Sequence, residues 1–449
     1  MSAYAYKRTK LGCMVAAVTA LALTAAGCSS SSSKPAAGGS ASAAAWPSLS
    51  GKHLTVLAEW SGAEQTDFQA VLSKFESLTG ASVTYQSGGS STGTVLQTKI
   101  AGGAPPDVAL LPEPGLINTL AQQGQIKPLD QAIQQEVAAD DGTGWQNLGT
   151  VGGKLYSVAF KISNKTTFWY NTAQFQQAGV TPPTNWKQFI ADCQTFVDDG
   201  ITPVSVGGSD GWTLADWFQN IYLSEAGPDM YNKLAHHQIT WTDPTVVAAL
   251  TTFGQLLGNP KFVVGGDSGA LQTSYNNSVT QAFTSPPKAA MVFEGDFSAT
   301  QITSTTGAKI GSDAKFFSFP SAGTNSNFVQ VSGDMATALN SDPATMELIR
   351  FLGSATADSI WAAEGGYLSP NKQVPMSAYP DATTRQEATM LLNAGPNVDF
   401  SLDDLSPAAF GGTVGSGYWA DMQYFLAHPT DVQGTAQKLE ADADKVSWS

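Results

Sequence analysis

The clearest alternation of apolar and polar positions begins at Leu54 and runs to Gly124. Leu54-Thr-Val-Leu-Ala58 is a short apolar run and predicts a buried strand. Phe68, Val71, Leu72 and Phe75 then fall at helical spacing, and Gly80 marks the stop. The alternation repeats: residues 83–86 read as extended, 94–101 as helical and 108–111 as extended, after which Leu116, Ile117, Leu120 and Ala121 form one apolar helix face ending at Gly124. Strand then helix, repeated in this way, predicts an α/β domain with a mainly parallel sheet. Farther along, Asp243-Pro244 and Asp342-Pro343 each place a side-chain acceptor before a proline suited to the first helical position, so a helix should start at each. The remainder reads as mixed α/β, with no internal repeat or coiled coil.

Ahead of this body the pattern changes. Lys7, Arg8 and Lys10 precede an uncharged, mostly apolar run over residues 11–26, too short to span a bilayer stably, and Ala25, Ala26 and Gly27 are small enough for a processing site before Cys28. Residues 1–27 therefore read as a secretory signal, and the mature protein is expected to act outside the cytoplasm. Leu23-Thr-Ala-Ala-Gly-Cys28 resembles the bacterial lipobox, with Ala25 where leucine is commonest. The resemblance implies that Cys28 is lipidated and tethers the protein to the membrane. Residues 28–45 are rich in Ser, Ala and Gly and have little to bury, which predicts a flexible linker, so the folded body should begin near Trp46.

Composition narrows the function. The chain beyond the leader is long enough for a large core divided between two domains. The formal net charge is −15, and losing the basic leader makes it more negative, which excludes nucleic acid as a partner. With Cys13 removed and Cys28 lipidated, Cys193 is the remaining cysteine, so no disulfide framework can form within the chain. His53, His236, His237 and His428 with one cysteine supply too few ligands for a zinc site, and neither a metal nor a cofactor is expected.

Candidate chemistry gathers at turns. Trp60 follows the first strand, Trp212 follows Gly211, and Tyr418-Trp419 follow Gly415-Ser-Gly417. In open α/β sheets such loops at the carboxyl ends of strands line the ligand crevice. An aromatic ring there suits the apolar face of a pyranose, and polar neighbours suit its hydroxyls. Those neighbours include Glu64, Glu113, Asn164, Asp216, Glu294, Asp296 and Asp334. Glu113, between Pro112 and Pro114, should be held at a strand's end, and Glu294 follows the apolar run 290–293. Two enzyme readings compete. Gly207-Gly-Ser209-Asp-Gly211 has the spacing of a nucleophile elbow, which would need a histidine base and an oxyanion hole. Paired carboxylates among tryptophans would equally suit a secreted glycoside hydrolase.

Trp60-Ser-Gly-Ala-Glu64, Phe75-Glu-Ser-Leu-Thr-Gly80 and Gly102-Gly-Ala-Pro-Pro-Asp-Val-Ala-Leu-Leu-Pro112, taken in order, resemble the N-terminal lobe of extracellular solute-binding proteins of carbohydrate ABC transporters. Phe168-Trp-Tyr-Asn171, Pro183-Thr-Asn-Trp186, Ala290-Met-Val-Phe-Glu-Gly-Asp-Phe297 and Gly365-Gly-Tyr-Leu-Ser-Pro-Asn371 are similar to later segments of that family. The resemblance implies a two-lobe, periplasmic-binding-protein-like α/β fold with the ligand cleft between lobes joined by hinge segments. It implies one lobe of residues 46–160 and 322–372, another of 161–321 and 373–449, and hinges near 160–164, 317–321 and 372–379. It also implies a non-catalytic, monomeric receptor that binds a sugar and delivers it to an ABC permease. Trp212 to Trp217 and Gly333-Asp334 look most like the α-glucoside-binding branch. Carried over by position, ligand contacts would come from Trp60, Glu64, Glu113, Asn164, Trp212, Asp216, Glu294, Phe297, Asp334, Tyr367 and Trp419.

Overall fold

The computed structural model describes residues 46–394 and 397–448; the expected leader, Cys28 and the linker lie outside the described residues. Within them the expected alternation forms. The strand His53–Ala58 leads into the helix Gly62–Thr79, which buries Phe68, Val71, Leu72 and Phe75 on one face. Gly80 ends that helix at φ 75°, a left-handed conformation that glycine adopts without a Cβ clash, and its N–H donates to Glu76 O. Strands Ser82–Ser87 and Val108–Leu111 flank His53–Ala58 in parallel. Helices Pro244–Leu257 and Pro343–Leu352 start at their prolines, where Asp243 and Asp342 accept the N–H groups of Thr245 and Ala344.

The first sheet is mainly parallel, as expected, but one strand adds two antiparallel pairings. Val329–Ala338 pairs antiparallel with both Val108–Leu111 and Ser157–Asn164, and parallel with Val398–Phe400. This strand arrives from the second sheet and not through a helical crossover on the first, so the crossover constraint that keeps neighbours parallel does not act on it. The second sheet has the order Ala314–Ser318, Thr167–Asn171, Met291–Phe293, Val204–Ser205, with one parallel pairing at its end.

Each sheet carries its own apolar core. Trp60, Phe68, Phe160 and Trp361 lie in the first; Phe168, Trp217, Trp241 and Tyr418 lie in the second. The chain passes between the two sheets at residues 165–166, again over residues 319–328, and a third time after Phe400, where Leu402 enters the second core. The third passage falls later than the sequence resemblance implied. Val374, Tyr379, Ala388, Leu391 and Phe400 pack in the first core, so residues 373–400 build the first lobe where the second was expected. The reason is the strand Val398–Phe400, whose pairing with Val329–Val331 holds the preceding helix Ala382–Ala394 on that side. Likewise Lys161–Asn164 continue a strand of the first sheet. No helix among the described residues is long and apolar enough to cross a membrane.

Candidate functional site

A cavity of about 260 Å³ opens where loops from the two sheets face each other. Its first wall comes from strand ends. Glu59 and Trp60 follow His53–Ala58, Glu113 follows Val108–Leu111, and Asp334 lies within Val329–Ala338. The opposite wall carries Trp212 and Asp216 from the helix Trp212–Ala226, with Tyr275 and Phe297 beside them. Trp212, Tyr275 and Phe297 form an aromatic corner, with ring centroids 5.3, 5.5 and 6.2 Å apart. Gly211 makes this wall possible: at φ 81° it starts the helix, and a Cβ there would come within 2.7 Å of Trp419 Cβ.

Two lysines enter the cavity that sequence reasoning missed. Lys161 lies in the strand Ser157–Asn164, which is buried along its whole length, so its ammonium needs a partner. Its Nζ lies 2.5 Å from Glu64 Oε1 and over the rings of Trp361, Phe297 and Trp60 at 4.7, 5.4 and 5.7 Å. Lys165 Nζ lies 2.8 Å from Asp216 Oδ2, and over Trp212 at 4.4 Å and Phe297 at 5.2 Å. Burial works against both ammonium groups, yet the adjacent carboxylates hold them above the ordinary lysine range. A lysine directly after the apolar run Val158-Ala-Phe160 was the one available signal for Lys161.

The carboxylates respond to the same setting. Burial, then the charge of Glu64, pushes Glu59 up to about 7. Burial, then Glu59, pushes Glu113 up to about 8. Asp216 reaches about 6, raised by burial and restrained by Lys165. Asp334 stands well above the ordinary range through burial and the nearby Glu59. Asp403 accepts hydrogen bonds from Gln219 Nε2 and Trp419 Nε1, each at 2.8 Å, and Asp404 beside it also lines the cavity. No local pattern marked these two, which reach the cavity only after the third passage between the sheets.

Of the residues expected at the site, Trp60, Glu64, Glu113, Trp212, Asp216, Phe297, Asp334 and Trp419 line the cavity. Asn164, Glu294 and Tyr367 do not. Asn164 turns its Oδ1 to the N–H of Thr166 at 2.9 Å and to its hydroxyl at 2.5 Å, while its own N–H donates to Asp296 Oδ1 at 2.6 Å. Glu294 is buried against Ser278, whose hydroxyl lies 3.5 Å from Oε1, and its Oε2 has no partner. Tyr367 is a core residue whose hydroxyl donates to Phe160 O and Asp358 Oδ1. The nucleophile-elbow spacing also fails to build a site. Ser209 Oγ lies 3.3 Å from Asp210 Oδ1, and the four histidines bond elsewhere, to Ser82 and Thr84, Asn232, Glu440 and Tyr424.

Residues 60–359, which span both sheets, match the family of bacterial extracellular solute-binding proteins. The chain belongs to that family. Two relatives extend the match over most of the solute-binding protein's length. The osmoprotective compounds-binding protein GgtB of Synechocystis sp. is 30% identical over 86% of this chain and 92% of its own. The alpha-glucosides-binding periplasmic protein AglE of Rhizobium meliloti is 31% identical over 87% of each. Among solved structures, the bacterial solute receptor AcbH superposes with a TM-score of 0.76 at 19% identity, covering 88% of this chain and 99% of that one. The GacH receptor of Streptomyces glaucescens gives 0.68 at 17%, covering 88% and 97%. These likenesses show the two-lobe fold.

Proposed function

We propose that this protein is the extracytoplasmic receptor of an ABC importer, binding a sugar of the α-glucoside or oligosaccharide class and presenting it to a membrane permease. The observation that carries the reading is the cavity. Its walls come from two sheets joined by three chain passages, and aromatic rings stand among carboxylates on both. An aromatic corner takes the C–H face of a pyranose, and carboxylates accept hydrogen bonds from its hydroxyls. AglE, an alpha-glucosides-binding protein, favours the same class. Trp60, Glu64, Glu113, Trp212, Asp216, Phe297, Asp334 and Trp419 are the proposed contacts, joined by Lys161, Lys165 and Tyr275. The three passages act as hinges, and the ligand favours closure by its greater affinity for the closed state. The receptor acts as a monomer, without catalysis, tethered through a lipid on Cys28.

The test is ligand-dependent thermal unfolding across trehalose, maltose, longer maltodextrins and unrelated oligosaccharides. A ligand at a hundred times its dissociation constant adds about 2.7 kcal/mol. Prolonged incubation should return the sugar uncleaved. Absence of any shift across the panel, or the appearance of hydrolysis products, would overturn the receptor reading.

A further inference from the structure

Eight carboxylates but only two ammonium groups line the cavity. Four of the eight are answered within the protein. Glu64 and Asp216 pair with the two lysines, Asp210 accepts the N–H of Tyr275 at 2.6 Å, and Asp403 accepts two side-chain donors. Glu59, Glu113, Asp334 and Asp404 form no ion pair among the described residues. Glu113 and Asp334, only 4% and 6% exposed, each keep one oxygen, Oε2 and Oδ1, buried without a hydrogen-bond partner.

The place of these groups is specific. Glu59, Glu113 and Asp334 come from three adjacent strands of the first sheet, so they form one wall of carboxyl groups. The fold makes room for Glu113 with two glycines: a Cβ at Gly412 or Gly93 would lie 3.2 or 3.3 Å from its Oε1. Burial raises the proton affinity of all three, helped at Glu59 by Glu64 and at Glu113 and Asp334 by Glu59. Ionising such groups under a closed lobe is costly unless they are paired, and a cation on the ligand would remove that cost. A bare metal ion does not fit. Among the described residues the trio whose ligand atoms come within 4.8 Å of one another is His237, Glu440 and Asp444, which lies outside the cavity.

We propose that the preferred solute is a sugar carrying a basic nitrogen, its ammonium seated against Glu59, Glu113 and Asp334 and its ring against Trp212, Tyr275 and Phe297. This rests on the sugar-receptor reading and deepens it. The two lysines form their ion pairs with Glu64 and Asp216, and although Lys161, opposite Asp334 across the strand pair, offsets part of the proton affinity of Asp334 and Glu59, no lysine forms an ion pair with a carboxylate of this wall among the described residues.

The test is isothermal titration at pH 7 with glucose, maltose and trehalose, each against its 2-amino-2-deoxy and 6-amino-6-deoxy forms, which are cationic at that pH. At least one amino form should bind tenfold or more tighter than its parent. Glu113→Gln and Asp334→Asn, which keep shape and remove charge, should each cut that preference to less than threefold while the unfolding midpoint holds or rises. The inference is overturned if every amino form binds no better than its parent, or if the preference survives both substitutions. Tight binding of the neutral sugars alone would overturn it and leave the receptor reading standing. No binding by either set would overturn both.

Discussion

Lys165 Nζ and Asp216 Oδ2 lie 2.8 Å apart with both side chains largely buried, joining the first chain passage between the sheets to a helix of the second lobe. Gln330 Nε2 reaches the other oxygen of Asp216 at 2.9 Å and Gln219 Oε1 at 2.7 Å, so the strand entered from the second passage is tied to the same carboxylate. Lys165→Met keeps the stem of the side chain and removes its charge. Stranding a buried partner in this way costs about 3–5 kcal/mol. Urea unfolding at pH 8 should show a loss near the lower figure. At pH 5 the loss should shrink, because Asp216, already at about 6, takes up a proton. Equal losses at both pH values would mean that packing and not charge dominates.

Buried carboxylates set the pH profile of the empty receptor. Glu59 and Asp296 stand at about 7 and Glu113 at about 8, each raised first by burial. In the unfolded chain they titrate near 4. Between roughly pH 4 and 8 the native state therefore holds more protons, and unfolding free energy falls as pH rises. The stability these groups contribute is complete below their unfolded pKa and is lost as pH passes their folded values. The midpoint of thermal unfolding should be higher at pH 5 than at pH 8 without ligand. A flat or rising profile over that interval would contradict this assignment.

The aromatic side chains divide into two kinds. Trp60 is 2% exposed and packs on Phe68 and Trp361, with ring centroids 4.7 Å away in each case. Trp60→Ala should therefore cost about 3–5 kcal/mol of stability. Trp212 and Tyr275 are only partly buried and face the cavity. Alanine at either should weaken sugar binding by about 1–3 kcal/mol with a small change in unfolding midpoint. Loss of fold in Trp212→Ala, with normal affinity in the folded fraction, would assign that ring to the core.

Glu294 and the cavity are separate. Burial holds its carboxyl well above the ordinary range, and it does not line the cavity. Glu294→Gln should leave affinity unchanged and raise the unfolding midpoint at pH 8, because the amide removes a titrating group that the fold desolvates. A fall in affinity comparable to that of Glu113→Gln would bring Glu294 back into the site.

Membrane attachment is checked by fractionation. Cys28→Ser should release the protein into the soluble fraction with sugar affinity intact, since Cys28 precedes the folded body. Mutant protein retained in the membrane fraction would point to an uncleaved helix.

Local pattern by itself determined the strand and helix alternation from His53 to Gln122, the helix starts at Pro244 and Pro343, the loops that carry Trp60 and Glu113, and the glycine turn that precedes Trp212. These features depend on periodicity, capping and proline geometry, which act over a few residues and are written into them. Only tertiary structure decided the rest. Whether a polar side chain beside a cleft loop faces the cleft depends on strand register and on distant partners. Thr166 and Asp296 engage Asn164, Ser278 holds Glu294, and Asp358 claims Tyr367. Lys161, Lys165, Tyr275 and Asp403 reach the same cavity from positions that share no local motif. The strand Val398–Phe400 draws residues 373–400 to the first sheet through a pairing with Val329–Val331 about seventy residues earlier in the chain. Register and packing of that kind are long-range free energies, and no window of sequence contains both partners.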